Sequence, residues 1–287
     1  DLVPEGKRGL ASGVKGLLEI LGGIALVRLV GYYMGRYFTG EGGAWLWPMV
    51  AVLAVVLLGA GLATVLLVRE RPGTGGPGPP LWPVLRRSFR IDTRLAPGFS
   101  RFLVSRLLVL MAFATLQRFA LYFLQDVVGV ANPALVTADM IIVIGVGMLL
   151  AVYPAGRLSD RVGRWPVVMV SGFVGVAGVV VLLFAHGYGL VVLGGGLLGI
   201  SSGAFLSTDW ALATDLVARG EEARYLGLTN LATAGGATLA LFIIGPAIDF
   251  FNAYRPGLGY TVMLLACLAY FVAGSVLVVR LGRPQPR

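Results

Sequence analysis

The sequence predicts an all-α membrane protein, and its composition and charge distribution support this class. Of the 287 residues, 57% are apolar and only 13% are charged, whereas a soluble domain has roughly 25% charged residues. Glycine occurs 42 times, and in apolar helices glycine favours close helix packing. The charges lie in short segments between long apolar runs. The net charge of +9 is therefore typical of a membrane topology and not of nucleic-acid binding.

Eight segments are long enough to cross a bilayer, because about 20 mainly apolar residues span its hydrocarbon core. Three of them carry ionisable residues and extend over about residues 8–33, 99–125 and 137–155. The uncharged runs cover residues 42–68, 165–208, 225–248 and 256–279. The run 165–208 is too long for one span and contains a polar turn at residues 186–189, so it is counted as two helices.

The basic residues predict the orientation of these spans. When the connections are assigned alternately to two sides, 17 Lys and Arg residues lie on one side, two on the other and four inside spans. Because cytoplasmic loops carry the excess of Lys and Arg, both ends of the chain are predicted to be cytoplasmic, in the cell membrane. The first residues are charged and polar, unlike a secretory signal peptide.

An internal repeat predicts two related halves. At an offset of 214 residues, Asp1-Leu2-Val3 aligns with Asp215-Leu216-Val217, and four further identities follow within about 25 positions. Repeated halves are common in transporters. The repeat predicts two helices in residues 1–68, a flexible Gly- and Pro-rich cytoplasmic linker in residues 69–98, and six helices in residues 99–287. It also predicts four missing helices before Asp1.

Residues 156–164 read GRLSDRVGR and lie between two predicted spans. This segment resembles the G-x-L-x-D-R-x-G-R loop of the major facilitator superfamily, whose members have twelve helices in two six-helix bundles. The resemblance implies that the chain corresponds to helices five to twelve. It also implies a gating loop, formed by Gly156, Asp160, Arg161, Gly163 and Arg164. In this family relation, Asp160 is expected to face the start of the first span, near residues 8–12.

Two further patterns bear on the branch of this family. Residues 203–217, GAFLSTDWALATDLV, resemble the sugar and cation symporter branch. The Gly-Pro pattern of many drug and proton antiporters is absent from the first span, which contains Gly13, Gly16, Gly22 and Gly23 but no proline. These patterns favour uptake of a solute over efflux.

Charged residues inside spans are costly, so they usually face a cavity or a partner. Lys15 and Glu19 lie one helical turn apart on the first span. They either pair with each other or provide a carboxylate for a coupling proton. On the third span, Arg118, Tyr122 and Gln125 share one face, with Gln117 beside it. We predict that these four residues line the substrate pathway, although the Arg118 side chain could instead snorkel outward.

Three residues of later spans are further candidates for the substrate or ion pathway. Ser202 and Asp209 lie two turns apart on the sixth span, where Asp209 is either a proton or cation site or a locally bonded residue. Asn230 belongs to a mildly polar face of the seventh span, which interhelical hydrogen bonding explains equally well. Arg28 and Arg106 are predicted to snorkel near helix ends, and Asp126 and Asp139 to be solvated beside an outer loop.

Enzyme-like motifs do not fit the predicted helices. Residues 199–203 match G-x-S-x-G and residues 194–199 match G-x-G-x-x-G, but both lie inside one apolar helix without a preceding strand. Gly195, Gly199 and Gly203 instead predict close helix packing. With one histidine and one cysteine, no metal site, cofactor or enzyme activity is predicted.

Taken together, the sequence predicts a secondary transporter in which two bundles rock around a central site. The predicted substrate is a small polar solute such as a sugar, moved with a proton or cation across the lipid bilayer. The alternatives are a proton-coupled efflux antiporter of small amphipathic compounds and a non-transporting membrane scaffold. A membrane hydrolase would need a base beside a nucleophile, and the single His186 makes it a poor candidate.

Overall fold

A computed structural model describes residues 46–67, 98–130, 133–217 and 222–279, together with six helical positions between residues 22 and 33. The chain divides into two compact units, residues 1–78 and 79–287. Most of the predicted first span, including Lys15, Glu19 and Arg28, lies outside the described residues. The predicted linker also lies outside them, except for Gly98.

The first unit contains helix α1, Leu46–Leu67. Its 22 residues are almost entirely apolar, and the one hydroxyl in its last turns, that of Thr64, donates a hydrogen bond to the Ala60 carbonyl oxygen at 2.8 Å. The apolar side chains of α1 are largely exposed, among them Leu57, Leu58 and Leu67. A helix that is apolar on every side and of this length is suited to a lipid environment.

The second unit consists of six long helices in its described ranges. They are α2 (Phe99–Phe123, continued by a π-helical turn, Leu124–Val128), α3 (Pro133–Val162), α4 (Arg164–Leu183), α5 (Tyr188–Leu216), α6 (Glu222–Tyr254) and α7 (Leu258–Val279). Together with α1, seven helices of the described ranges are long and apolar enough to cross a membrane. They match the second to eighth predicted spans and confirm an all-α membrane fold.

Short connections reverse the chain direction from helix to helix in the second unit. Gly98, Gly163 and Val217 lie at one end of this unit. We call it the basic end, because the predicted Arg-rich connections lie there. We call the opposite end the outer end. Only Gly163, with φ of +94°, separates α3 from α4. Glycine is favoured there because other residues rarely adopt a positive φ.

The structure corrects the predicted boundary of the gating loop. The segment 156–164 was expected to be a loop, but α3 continues to Val162, so residues 156–162 are helical. Hydropathy identifies the part of a helix that crosses the bilayer, and a helix can continue beyond that part with charged side chains. Arg157 and Arg161 therefore extend from the last turns of α3.

Glycines bring α3 and α5 into backbone contact, as the sequence predicts. A Cβ atom added to Gly199 would collide with the backbone of Ile144, and one added to Gly203 would collide with that of Met148. On α3, a Cβ atom added to Gly147 would lie 2.7 Å from the Gly196 carbonyl oxygen. Helices associate in membranes mainly through close packing of this kind.

Among the other helix pairs, α4 packs against α5 and α7, and α2 packs against α6 and α7. Buried hydroxyls connect these helices. The Ser105 hydroxyl of α2 donates a hydrogen bond to the Gly274 carbonyl oxygen of α7 at 2.7 Å. The Ser201 hydroxyl of α5 donates one to the Ser171 carbonyl oxygen of α4, also at 2.7 Å. Phe205 and Phe271 are fully buried between the helices. Because the bilayer core offers no water, such internal partners satisfy the buried polar groups.

Candidate functional site

A polar surface lies on the outer half of α2. Gln117, Arg118, Tyr122 and Gln125 are all exposed on α2 and its π-helical continuation. They occupy successive turns, and 52% of the Tyr122 surface is accessible. The structure thus exposes the three residues that the sequence groups on one face, together with Gln117 beside them. We call them the α2 polar face, and its role in binding stays a prediction.

The outer end of α2 is tied to α7. The π-helical turn Leu124–Val128 ends at Gly129, which has φ of +69°. Within this turn the Asp126 carboxylate accepts a hydrogen bond from the Tyr260 hydroxyl. Asp126 is exposed, as predicted for a solvated residue, but it also joins two helices. Asp139 is half-buried in the first turns of α3.

Arg106 and Asp209 form a buried ion pair between α2 and α5. Their side chains are only 7% and 2% exposed. The prediction that Arg106 snorkels to the membrane surface is therefore wrong. Snorkelling avoids the desolvation of a charge, but here a carboxylate at the same depth in the bundle offers a direct partner instead.

Two further side chains contact the Arg106 guanidinium. One of its terminal nitrogens donates a hydrogen bond to the Thr233 hydroxyl of α6 at 3.1 Å. The Thr233 hydroxyl in turn donates to the Thr229 carbonyl oxygen at 3.0 Å. The guanidinium carbon lies 5.9 Å from the ring centre of Trp210, a distance suited to a cation–π contact. Arg106 therefore connects α2 to both α5 and α6.

The Asp209 carboxylate has one oxygen without a partner. Its Oδ2 atom faces Arg106, whereas Oδ1 has no hydrogen-bond partner among the described residues. Asp209 is only 1% exposed. A buried acceptor that lacks a partner costs free energy, so this atom is a candidate to bind a proton or another ligand.

Aromatic side chains are buried on the basic-end side of Arg106. Phe102 and Phe99 lie one and two turns below Arg106 on α2, and both are fully buried. The Phe99 ring packs edge-on against Tyr225 of α6, with ring centres 4.7 Å apart. We call Phe99, Phe102 and Tyr225 the aromatic cluster; its two phenylalanines lie between Arg106 and the basic end of α2.

A second ion pair lies at the basic end, in the predicted gating segment. Arg164, the first residue of α4, pairs with Asp215 of α5 at 2.7 Å and donates to the Ala211 carbonyl oxygen. A cation is favourable near the carbonyl end of a helix. Asp160 and Arg161 are exposed on α3. The segment thus contacts α5 through Arg164, and the expected approach of Asp160 to residues 8–12 falls outside the described residues.

The other predicted site residues are placed as follows. Ser202 lies on α5, two turns from Asp209, and its hydroxyl donates to the Gly199 carbonyl oxygen at 2.9 Å. Asn230 is exposed on α6, one turn before Thr233. Among the described residues no three His, Cys, Asp or Glu side chains form a group that could hold a metal. The G-x-S-x-G and G-x-G-x-x-G matches both lie within α5.

Sequence reasoning missed the partnership of Arg106 and Asp209, although a signal was present. Arg106 is the eighth residue of α2, counted from its start, and Asp209 is the eighth residue of α5, counted from its end. Both helix ends lie at the basic end, so the opposite charges were at equal depth. Comparing the depths of isolated charges on different spans would have suggested the pair.

Two comparisons with known proteins agree with this architecture. The sequence profile of the Major Facilitator Superfamily matches residues 1–241 and residues 119–287. The minor myo-inositol transporter IolF of Bacillus subtilis (strain 168) is 31% identical over 98 residues, which is 34% of this chain and 22% of that transporter. The matched segment is therefore a small part of the relative. Because the family profile covers most of the sequence, this multi-pass membrane protein belongs to the Major Facilitator Superfamily.

Proposed function

We propose that the protein is a secondary active transporter that moves a small polar solute by alternating access. The observation that carries the proposal is the α2 polar face, which exposes an arginine, two amides and a phenol on a membrane-length helix of a family member. Polar residues at this depth are expensive unless they face water or a ligand. A solute pathway provides such a surface.

The chemistry of the α2 polar face suits a hydroxylated solute. The Gln117 and Gln125 amides can donate and accept hydrogen bonds, the Tyr122 hydroxyl can do both, and Arg118 provides donors only. A sugar or polyol presents several hydroxyls that need both kinds of partner. The partial similarity to a transporter named for myo-inositol supports this solute class.

The pair of Arg164 and Asp215 is proposed to act in the inner gate. It fixes the start of α4 to the last turns of α5, at the end that the basic residues assign to the cytoplasm. Opening this end requires the contact to break or rearrange. The gating role of Gly156, Asp160, Arg161, Gly163 and Arg164 is part of this proposal.

A proton or cation is proposed to drive the transport. Two carboxylates inside predicted spans could carry the coupling, Glu19 on the first span and Asp209 on α5. Ser202 and Asn230 lie within two turns of Asp209 and Thr233, respectively, and are proposed to contribute to the pathway. Lys15 is proposed to set the charge state of Glu19.

Proteoliposome flux tests the proposed function. The chain is reconstituted alone and joined to the four upstream helices that the repeat predicts, and uptake of labelled myo-inositol is followed under an imposed pH gradient. We expect uptake by the joined protein, with an about tenfold rise in KM for Arg118→Ala. Arg101→Ala, which removes an exposed charge at the basic end of the same helix, is the matched control and keeps the original KM.

The same assay distinguishes the alternatives. Flux in the opposite direction, driven by proton uptake, would identify an efflux antiporter. Lack of flux with a panel of sugars, polyols and amphipathic cations in a folded, correctly inserted protein would favour a membrane scaffold. Equal KM values for Arg118→Ala and Arg101→Ala would remove the α2 polar face from the proposed binding site.

A further inference from the structure

We propose that the basic end of α3 carries a binding site for an anionic phospholipid, in which Arg157 and Arg161 hold the headgroup phosphate. The proposal starts from an open hollow of about 310 Å³ on the surface of α3. The hollow is lined by Tyr153, Pro154, Arg157, Leu158 and Arg161. Two guanidinium groups therefore border a hollow whose other lining residues are mainly apolar.

Helical spacing places the polar lining residues in one row along α3. Tyr153, Arg157 and Arg161 follow one another at intervals of four residues, which lie on the same side of a helix. All three side chains are exposed. The Arg157 guanidinium donates a hydrogen bond to the Tyr153 hydroxyl at 3.4 Å. The row therefore presents a phenol and then two guanidiniums in the direction of the basic end.

The length of the uncharged part of α3 sets the depth of this row. Asp139 and Arg157 are the charged residues that flank it. At a rise of 1.5 Å per residue they lie about 27 Å apart along the helix, close to the thickness of about 30 Å of the hydrocarbon core. Arg157 and Arg161 therefore reach the headgroup layer when α3 spans the bilayer. Tyr153 lies one turn deeper, near the interface at which tyrosine is enriched.

The two guanidiniums are available to an anion. Neither Arg157 nor Arg161 forms an ion pair with an acidic side chain in the described parts of the chain. Asp160, the nearest carboxylate in sequence, lies about 100° around the helix from Arg161 and does not line the hollow. A planar guanidinium can donate two parallel hydrogen bonds to a phosphate. Two such groups one turn apart therefore suit a phosphate in the headgroup layer.

The apolar surface beside the row favours a lipid over a soluble phosphate. Leu158 in the hollow is exposed, and exposed apolar side chains continue along α3 toward the outer end at Val146, Leu149 and Leu150. Acyl chains can cover this surface, whereas a soluble phosphate cannot. A covering protein surface would have to bury both guanidiniums away from water, which is costly. Anionic lipids of the cytoplasmic leaflet attract basic residues at this depth, and the basic end is predicted to be cytoplasmic.

Native mass spectrometry measures the proposed binding. The chain, joined to the upstream helices that the repeat predicts, is purified in detergent and titrated with phosphatidylglycerol or with phosphatidylcholine of the same acyl chains. We expect the tightest site to prefer phosphatidylglycerol. Arg157→Gln and Arg161→Gln should each weaken its binding about fivefold, and the double variant about 30-fold, because each loses the attraction of one basic residue to an anionic lipid.

Two further variants make the result specific to the hollow. Arg101→Gln removes an exposed arginine at the basic end of α2, outside the hollow, and should keep the original affinity for phosphatidylglycerol. The double variant Arg157→Lys with Arg161→Lys keeps both charges and loses the planar donors. Its affinity should lie between that of the original protein and that of the double Gln variant, and it provides the measurement if the Gln variants do not fold.

Three results would overturn the inference. Equal phosphatidylglycerol affinities of the double Gln variant and Arg101→Gln would show that the lipid does not bind at Arg157 and Arg161, as expected if protein covers the hollow. Equal affinities for the two lipids would show that no anionic headgroup is recognised. Displacement of phosphatidylglycerol by glycerol 3-phosphate at similar concentrations would identify a site for soluble phosphates. Solute flux enters none of these measurements, so their outcome is independent of the proposed transport.

Discussion

Arg106 of α2 and Asp209 of α5 pair in the interior of the second unit, each eight residues from the basic end of its helix. Removing two charges from water is costly, and the mutual attraction compensates only while both partners are present. The pair is thus a point at which the loss of one side chain affects two helices. Its effect on stability can be measured independently of transport.

We expect Arg106→Met and Asp209→Leu to destabilise the folded protein by about 3–5 kcal/mol each, because each leaves an unpaired buried charge. The double variant should be more stable than either single variant, since it contains no buried charge. Unfolding in mixed micelles provides the measurement. Arg118→Met, on the exposed α2 polar face, serves as the control with little change. Additive losses in the double variant would show that the two residues do not interact.

Larger residues at the contact of α3 and α5 should prevent close packing. Gly203→Val places a branched side chain against the Met148 backbone, which cannot move aside as a flexible side chain could. Overpacking of this kind typically costs about 1–3 kcal/mol or more. Thermal unfolding followed by size-exclusion chromatography is the measurement. Gly227→Ala is the matched control, because a Cβ atom there meets no atom within 4 Å. Equal stability of the two variants would contradict the backbone contact.

The bond between Tyr260 and Asp126 should stabilise the outer end of the second unit. Tyr260→Phe keeps the buried ring and removes only the hydroxyl donor, so we expect a loss of about 1 kcal/mol. Tyr254→Phe makes the same chemical change at a ring that is 73% exposed and should have no measurable effect. The difference in melting temperature between the two variants is the readout. A larger loss in Tyr254→Phe would argue against the Tyr260 bond.

The pair of Arg164 and Asp215 should influence accessibility more than stability. The Asp215 side chain is 55% exposed, and exposed ion pairs contribute about 0–1 kcal/mol. Asp215→Ala should therefore leave the melting temperature nearly constant. It should increase the labelling rate of Ala213→Cys, a buried position of α5, in a Cys267→Ala background. The exchanged pair, Arg164→Asp with Asp215→Arg, should restore slow labelling if the contact closes this end.

Much of the fold could be predicted because hydropathy and glycine spacing are local properties of the chain. Apolar runs predict the spans from α1 to α7, and the four-residue spacing of Gly195, Gly199 and Gly203 predicts the packing of α5. The true ends of α3 could not be predicted in the same way. Residues 156–162 continue the helix with charged side chains, and a change in hydropathy marks the membrane boundary without ending a helix.

The candidate site was less accessible to sequence reasoning because it depends on contacts between distant helices. Arg118, Tyr122 and Gln125 could be grouped by their spacing alone, since they share one helix. The position of Arg106 near a helix end favoured snorkelling, and only the packing of α2 beside α5 shows that a carboxylate is within reach. Which side chains of different helices form a pair depends on the tertiary structure, and no local sequence pattern predicts it.

The one-residue connection at Gly163 has a mechanical consequence. Because a single residue joins them, the end of α3 and the start of α4 must stay within one residue of each other. Since Arg164 also pairs with Asp215 of α5, the end of α3 is linked through one residue to the helix that carries Asp209. Two added residues at this connection would release that constraint without altering a single charged group.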